Sequence, residues 1–299
     1  MTDAANECLT KWEKLLLSKF RQEFKRRGER SPEWALPLRN GSPMPPPVPL
    51  VGSAYTPGRG LLVYASAEKL ARMERDHSHS RWEFFCDGKG WARYRQQYSS
   101  PILQSGRRDR FPVIGIQPVT DGGLLCAAWF LLDRFGMPAG STPQEVLENI
   151  AVTNWCKFVW RAEGTPDYVG DSEKLGHSLP YVEIELKALR PQVVLLPHRI
   201  WNNEMICDRM SRSAPKACFV PAPQFNARVI NTNPHLRRLD KQAGDLRDRH
   251  PNKDLKLWMS RVERMNPGNA WRFLAYLEQQ LAGQSPNGAS GIGGPVQAR

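Results

Sequence analysis

The stretch Ile150-Ala-Val-Thr-Asn-Trp-Cys-Lys-Phe158 brings together the residue types best suited to chemistry. Largely apolar, strand-forming residues run into Asn154, and Trp155, Lys157 and Phe158 follow it. An amide offers donor and acceptor to the polar edge of a planar ring, an aromatic stacks on its face, and a cation meets a neighbouring anion. The group suits a pocket for a flat heterocycle near a phosphate; the alternative is an amide that only satisfies a loop backbone. Two further stretches carry polar side chains at loop-like spacing: Gly52-Ser-Ala-Tyr-Thr-Pro-Gly-Arg-Gly60, with Tyr64 beyond it, and Asn231-Thr-Asn-Pro-His-Leu-Arg-Arg238. The glycines of the first mark turns; no Gly-Lys-Ser/Thr follows to make a phosphate cradle.

Strands and helices must deliver these groups. Thr142-Pro-Gln-Glu145 forms a capping box with proline at the first helical position, and Val146, Leu147 and Ile150 form the apolar side of a helix leading into the strand that ends at Asn154. Pro49-Leu-Val-Gly52 reads as a short strand, and Ser66 caps a helix carrying Leu70 and Met73, with Glu68 in its first turn. That strand–loop–helix order places residues 52–60 at the carboxyl end of a strand, where ligands bind in α/β sheets. Residues 76–110 mix aromatics with charges and read as irregular with one short helix, and Phe111 to Gln117 reads as a strand. The run Leu124 to Phe135 has the length of a buried core helix and is too short to span a bilayer.

A helix over about 180–190 ends at Pro191, and Gln192-Val-Val-Leu-Leu196 is the cleanest buried strand. A helix over 198–212, a strand over 217–220 and a short strand over 228–231 follow, the last running into the third loop. Residues 252–282 are helical with a break at Asn266-Pro-Gly268. Repeated strand–helix alternation predicts an α/β fold, a three-layer α/β/α sandwich around a central, mainly parallel sheet. Residues 1–40 form an N-terminal basic amphipathic helix and linker, the helix over 5–27 with Leu9, Trp12, Leu16, Phe20 and Phe24 on one face. Residues 41–282 form the α/β domain, entered through the proline-rich extended tether Gly41 to Pro49, and 283–299 a disordered tail.

With 299 residues and 40% hydrophobic content the chain can bury a sizeable core. A net charge of +12, largely from arginine, together with ten tryptophans, favours an anionic polymer that offers phosphates and bases, hence nucleic acid, over a membrane surface. Six scattered cysteines with no C-x-x-C pair, and no signal peptide before them, point to reduced thiols in a cytoplasmic protein. His77, His79 and Cys86 lack a fourth ligand and ordinary zinc spacing, so neither a metal nor another cofactor is expected.

Taken in order, these stretches resemble the uracil-DNA glycosylase superfamily over roughly residues 48–240. Val51 to Gly60 resembles its first strand and turn, Val152-Thr-Asn-Trp-Cys-Lys157 the strand whose terminal Asn bonds a flipped base, Leu189-Arg-Pro-Gln-Val-Val-Leu-Leu196 the strand after its long helix, and Ile230 to Arg237 the His-Pro-Ser loop that enters the minor groove. The resemblance implies a DNA glycosylase that hydrolyses an N-glycosidic bond and leaves an abasic site. Ser53 then holds water, and Asn231, Asn233 or His235 donates to the departing base. Asn154 reads that base with Tyr55 and Tyr64 stacking; Leu236 is a wedge, and Arg59, Lys157, Arg237 and Arg238 contact phosphate.

Ser53 or Ala54 stands where many members have Asp, Glu or Asn, and Asn233-Pro-His235 where they have His-Pro-Ser. His250-Pro-Asn252 is a second candidate for that loop, without a preceding strand, and Glu83 and Asp87 are the nearest candidates for the missing carboxylate. These departures shift the expected substrate from uracil towards another modified or damaged base, for example a bulky modified cytosine in phage DNA. The expected partner is DNA, bound by a monomer. A non-catalytic nucleic-acid-binding module on the same fold is the alternative, and a nucleoside or nucleotide hydrolase a third.

Overall fold

The computed structural model describes residues 49–65, 122–155, 159–160, 172–223, 227–265 and 267–283, the helical positions 7–8, 10–11, 14–15 and 18, and two-residue strands at 34–35, 38–39 and 42–43. The strand and helix expected between residues 66 and 121, the tail and Lys157 lie outside the described residues.

Five strands form the main sheet: β1 (Leu50–Val51), β2 (Leu61–Ala65), β3 (Ile150–Asn154), β4 (Val193–Pro197) and β5 (Cys218–Ala222), in the spatial order β1-β3-β2-β4-β5. Strands β3, β2, β4 and β5 are parallel, and β1 closes one edge antiparallel to β3. Near the N-terminus, Trp34–Ala35 pairs with Val159–Trp160, and Leu38–Arg39 pairs with Ser42–Pro43.

Side chains of successive strand residues point to opposite faces, and both faces are covered, which is why these strands are apolar throughout rather than alternating. Leu61, Val63, Ile150, Val152, Val193, Leu195 and Val220 share one core with α1 (Gly122–Arg134), α2 (Pro143–Asn149) and the C-terminal helices. Leu62, Tyr64, Ala151, Val194, Leu196 and Phe219 share the other with α3 (Ser172–Leu189), α4 (His198–Trp201) and α5 (Glu204–Ser213). The result is an α/β/α arrangement around a parallel sheet. Every residue from Leu125 to Leu132 on α1 is buried, as its uninterrupted apolar run requires. Among the described residues no helix is long and apolar enough to cross a membrane.

Local signals place several boundaries. Thr142 caps α2, its Oγ1 accepting from Glu145 N–H at 3.3 Å, while the Glu145 carboxylate reaches back to Ser141 N–H instead of closing the box on Thr142. Pro197 leads into α4, and Asn203 Oδ1 accepts from Ile206 N–H at 3.2 Å, so the single helix expected over 198–212 is two, divided at Asn202–Asn203. α3 starts earlier than expected and runs through Pro180.

Two expectations fail. Leu61–Ala65, where no strand is expected between the glycine loop and the helix from Ser66, is the middle strand of the five-stranded sheet. Residues 228–231, expected as a strand, lie in α6 (Ala227–Thr232), followed by α7 (Pro234–Arg237) and an unexpected α8 (Asp240–Arg249). Val229 and Ile230 make too short an apolar run for periodicity to separate helix from strand. α9 (Lys253–Met265) and α10 (Ala270–Ala282) flank the expected break.

Candidate functional site

The central strand β2 reverses the expected position of the glycine loop. Residues 52–60 precede β2, so they lie at the amino edge of the parallel strands: Gly52 N–H donates to Ile150 O at 2.9 Å, and Gly60 O accepts from Gln192 N–H at 2.8 Å. Asn154 is at the far end of β3, roughly 13 Å away at about 3.3 Å of rise per residue. Ser53 and Arg59 are exposed at that amino edge and do not join Asn154. Tyr55 is a packing residue there: its ring lies against Gly60, its hydroxyl donates to Leu189 O at 3.1 Å, and burial pushes its pKa up. The expected water-positioning Ser53 and stacking Tyr55 are therefore corrected on position, and Arg59 lies away from the Asn154 edge.

The carboxyl edge is built by register. Ala65 on β2 is level with Asn154 on β3; the pairing Val63↔Leu195 carries the row to Pro197 on β4, and Pro197 is level with Ala222 on β5. One residue beyond this row come Trp155 on one side of β2 and His198 on the other. The first described helix after β2, α1, packs on one face of the sheet, and α4 and α5, which follow β4, pack on the opposite face. In open α/β sheets the crevice outside the carboxyl ends of two such strands is where ligands bind.

Tyr64 lies one residue below the row, only 3% exposed. Its hydroxyl donates to Glu185 Oε2 at 2.8 Å, and its ring meets Trp155 edge-on with centroids 5.5 Å apart. Burial, then the charge of Glu185, pushes the Tyr64 pKa up. Tyr64 thus supports the rim from beneath and offers no open face for stacking, a second correction. Trp155 is itself fully buried, and its indole Nε1 has no hydrogen-bond partner among the described residues.

His198 was not singled out from sequence. It is half-buried, and burial lowers its pKa, favouring the neutral ring. Asn202 Nδ2 lies 3.2 Å from His198 Nδ1. In the tautomer with the proton on Nε2, Nδ1 accepts this amide N–H and Nε2 is a donor. The signal that would have found it is its place directly after the most apolar strand in the chain.

The stretch 231–238 is occupied with structure rather than with a ligand. Asn231 Nδ2 donates to Pro267 O at 3.0 Å. Asn233 caps α7, its Oδ1 accepting from His235 N–H at 2.9 Å and Leu236 N–H at 3.4 Å. Leu236 is 0% exposed within the core, so it is not a wedge. His235, Arg237 and Arg238 are exposed. The expected donor roles of Asn231 and Asn233 and the wedge role of Leu236 are corrected on these contacts. His235 lies on a segment beginning at Ala227, past the end of β5, with β2 and β4 between that strand and Asn154.

The other candidate, His250-Pro-Asn252, is a packing motif. The His250 ring lies 5.9 Å from those of Phe130 and Trp271. Asn252 caps α9 through Leu255 N–H at 2.9 Å and donates to Asp133 Oδ2 at 2.7 Å. Glu83 and Asp87 lie outside the described residues, and no rim residue named above is acidic. Among the described residues no group of three or more His, Cys, Asp or Glu could hold a metal ion.

The carboxyl edge thus ends β3 at Asn154, with the buried Trp155 one residue further on and His198 beyond the end of β4 on the other side of β2, the strands being spaced about 5 Å apart. Compared with protein-family models, curated proteins and solved structures, the chain matches none.

Proposed function

We propose that the protein binds DNA and reads an extruded base at the carboxyl edge of its sheet, hydrolysing the N-glycosidic bond of a modified or damaged nucleotide to leave an abasic site. The observation that carries this is the register row that sets Asn154 level with Ala65 and Pro197, with His198 immediately beyond. Two of the four stretches behind the uracil-DNA glycosylase resemblance form β3 and β4, strands of one parallel sheet, which supports this reading.

A sugar–base bond is inaccessible inside a duplex, so the nucleotide must leave the stack at a cost of a few kcal/mol. The net charge of +12, with Arg237 and Arg238 exposed, supplies phosphate contacts that offset it. Asn154 offers both hydrogen-bonding functions to a base edge, and His198 Nε2–H donates to charge growing on the departing base. No residue named along the row is acidic, and the carboxylate beneath it, Glu185, is buried against the Tyr64 hydroxyl, so bond breaking relies on this stabilisation and on positioning of water. Ser53 or Ala54 in place of the usual acid or amide, and Asn233-Pro-His235 in place of His-Pro-Ser, favour a base other than uracil, such as a bulky modified cytosine.

Incubation with duplexes bearing uracil, other deaminated bases or glucosylated hydroxymethylcytosine, followed by alkali, tests the proposal by strand cleavage at the modified site. The second reading, a non-catalytic nucleic-acid-binding module, is favoured by that lack of a rim carboxylate. Tight duplex binding with no alkali-labile site on any of these substrates would select it.

A further inference from the structure

The amino edge of the sheet gathers a separate group of cations. Gly58 N–H donates to Arg190 O at 2.6 Å, Gln192 N–H to Gly60 O at 2.8 Å and Cys218 N–H to Gln192 O at 2.8 Å, so three chain segments lie side by side where β2, β4 and β5 begin. Those segments, residues 52–60, 187–192 and 214–218, contain Arg59, Lys187, Arg190 and Lys216; the segment that enters β3 beside them adds Glu148, whose backbone O accepts from Ala54 N–H at 2.8 Å. All four cations are exposed, and none is in an ion pair among the described residues. By contrast Arg209, Arg247 and Arg272 each hold a carboxylate.

Arg190 supplies an independent observation. It follows the last turn of α3 with φ 46°, the only non-glycine residue with positive φ among the described residues. Glycine is the usual residue at such a helix end because it has no Cβ to strain the left-handed conformation. A strained side chain persists where the surrounding structure holds it, and such positions concentrate at binding and functional sites. The negative end of α3 accounts for the sign of Lys187 and Arg190. It does not account for Arg59 and Lys216, which belong to other segments.

We infer that this edge is a binding surface for the phosphate backbone of a nucleic acid, distinct from the base-reading edge. Exposed cations spread over three segments suit a chain of phosphates better than one small anion, and guanidinium groups take phosphate oxygens in pairs. The surface rests on the DNA proposal only for its class of polyanion and needs no chemistry at Asn154. Because the two edges lie at opposite ends of the strands, it engages a different segment of the polymer from the one read at Asn154.

The test uses the full-length protein, a fluorescein-labelled random-sequence duplex and a salt series, with heparin as a comparison polyanion. Arg190→Gly removes the cation and relieves the backbone, so its melting temperature should match or exceed that of the wild type while duplex affinity falls. The triple variant Arg59→Ala, Arg190→Gly, Lys216→Ala should bind at least about tenfold more weakly, with the slope of log K against log salt reduced by up to about 3. Arg59→Lys with Arg190→Lys and Lys216→Arg should retain most of the affinity. An unchanged Kd and salt slope in the folded triple variant would overturn the surface, as would loss of heparin binding with duplex binding intact, or no duplex binding by the wild type at low salt. Failure of the triple variant alone leaves the base-reading edge standing; absence of excision on every base leaves this surface standing.

Discussion

The Tyr64 hydroxyl donates to Glu185 Oε2 at 2.8 Å between the central strand and α3, joining the floor of the carboxyl edge to a helix that covers the sheet. Glu185 is fully buried, so removing the hydroxyl takes a donor from a carboxyl group that water does not reach. Tyr64→Phe should destabilise the fold by about 1–3 kcal/mol, measured as a shift in urea midpoint without a change in slope. An unchanged midpoint would mean that Glu185 finds an equivalent donor without Tyr64.

Leu236 distinguishes a wedge from a core residue. As a core residue, Leu236→Ala should cost about 2–5 kcal/mol of stability and leave the duplex affinity of the folded protein unchanged. A wedge would give the reverse pattern. Arg237→Ala with Arg238→Ala should instead weaken binding on all sequences and lower the salt slope by up to about 2.

Asn154, His198 and Ser53 separate the two edges by activity. Asn154→Ala should abolish excision and keep duplex affinity within about twofold, since phosphate contacts rather than base contacts dominate affinity. His198→Ala should lower single-turnover excision by about 10²–10³, the usual loss for one donor to developing charge. Ser53→Ala, at the opposite edge, should leave excision unchanged. Equal loss in all three variants would place the reaction elsewhere on the molecule.

His250 makes stability depend on pH. Burial lowers its pKa below the ordinary 6.5, Asp133 and Glu278 pull it back up, and Lys256 pushes it further down. The unfolded ring therefore takes a proton at a higher pH than the folded one, so stability is fully present above about 6.5 and falls as pH drops through that value. Asp133, raised by burial, acts in the opposite direction, its contribution fading as pH rises above 3.8. The urea midpoint should fall between about pH 7.5 and 5.5, and His250→Gln should flatten that dependence. Parallel pH profiles in the two proteins would remove His250 as the cause.

Several elements were legible because their signals are local. Thr142 with Pro143 marks the start of α2, Val193 to Leu196 is apolar enough for a doubly covered strand, and Asn266-Pro-Gly268 divides the last two helices. Leu61–Ala65 was obscured because it sits between a glycine-rich loop and Ser66, a residue suited to capping, so its five residues looked like the approach to a helix. Asn233-Pro-His235 looked like a functional loop for a related reason. A side chain that caps a helix and one that meets a ligand are drawn from the same residue types, and only the neighbours distinguish them.

The amino-acid sequence alone determined the excess of positive charge, the strand–helix alternation that requires a covered parallel sheet, and the place of Asn154 at the end of a buried strand. Tertiary structure alone decided which residues share its edge. Each parallel crossover returns the chain to the amino edge, so one unrecognised strand moves a whole loop to the opposite end of the sheet. Strand order and register then set His198 across β2 from Asn154 and remove Ser53 and Tyr55 from it. Those pairings join residues 89 positions apart (Leu61 with Ile150) and 132 apart (Leu61 with Val193), and no local pattern encodes them.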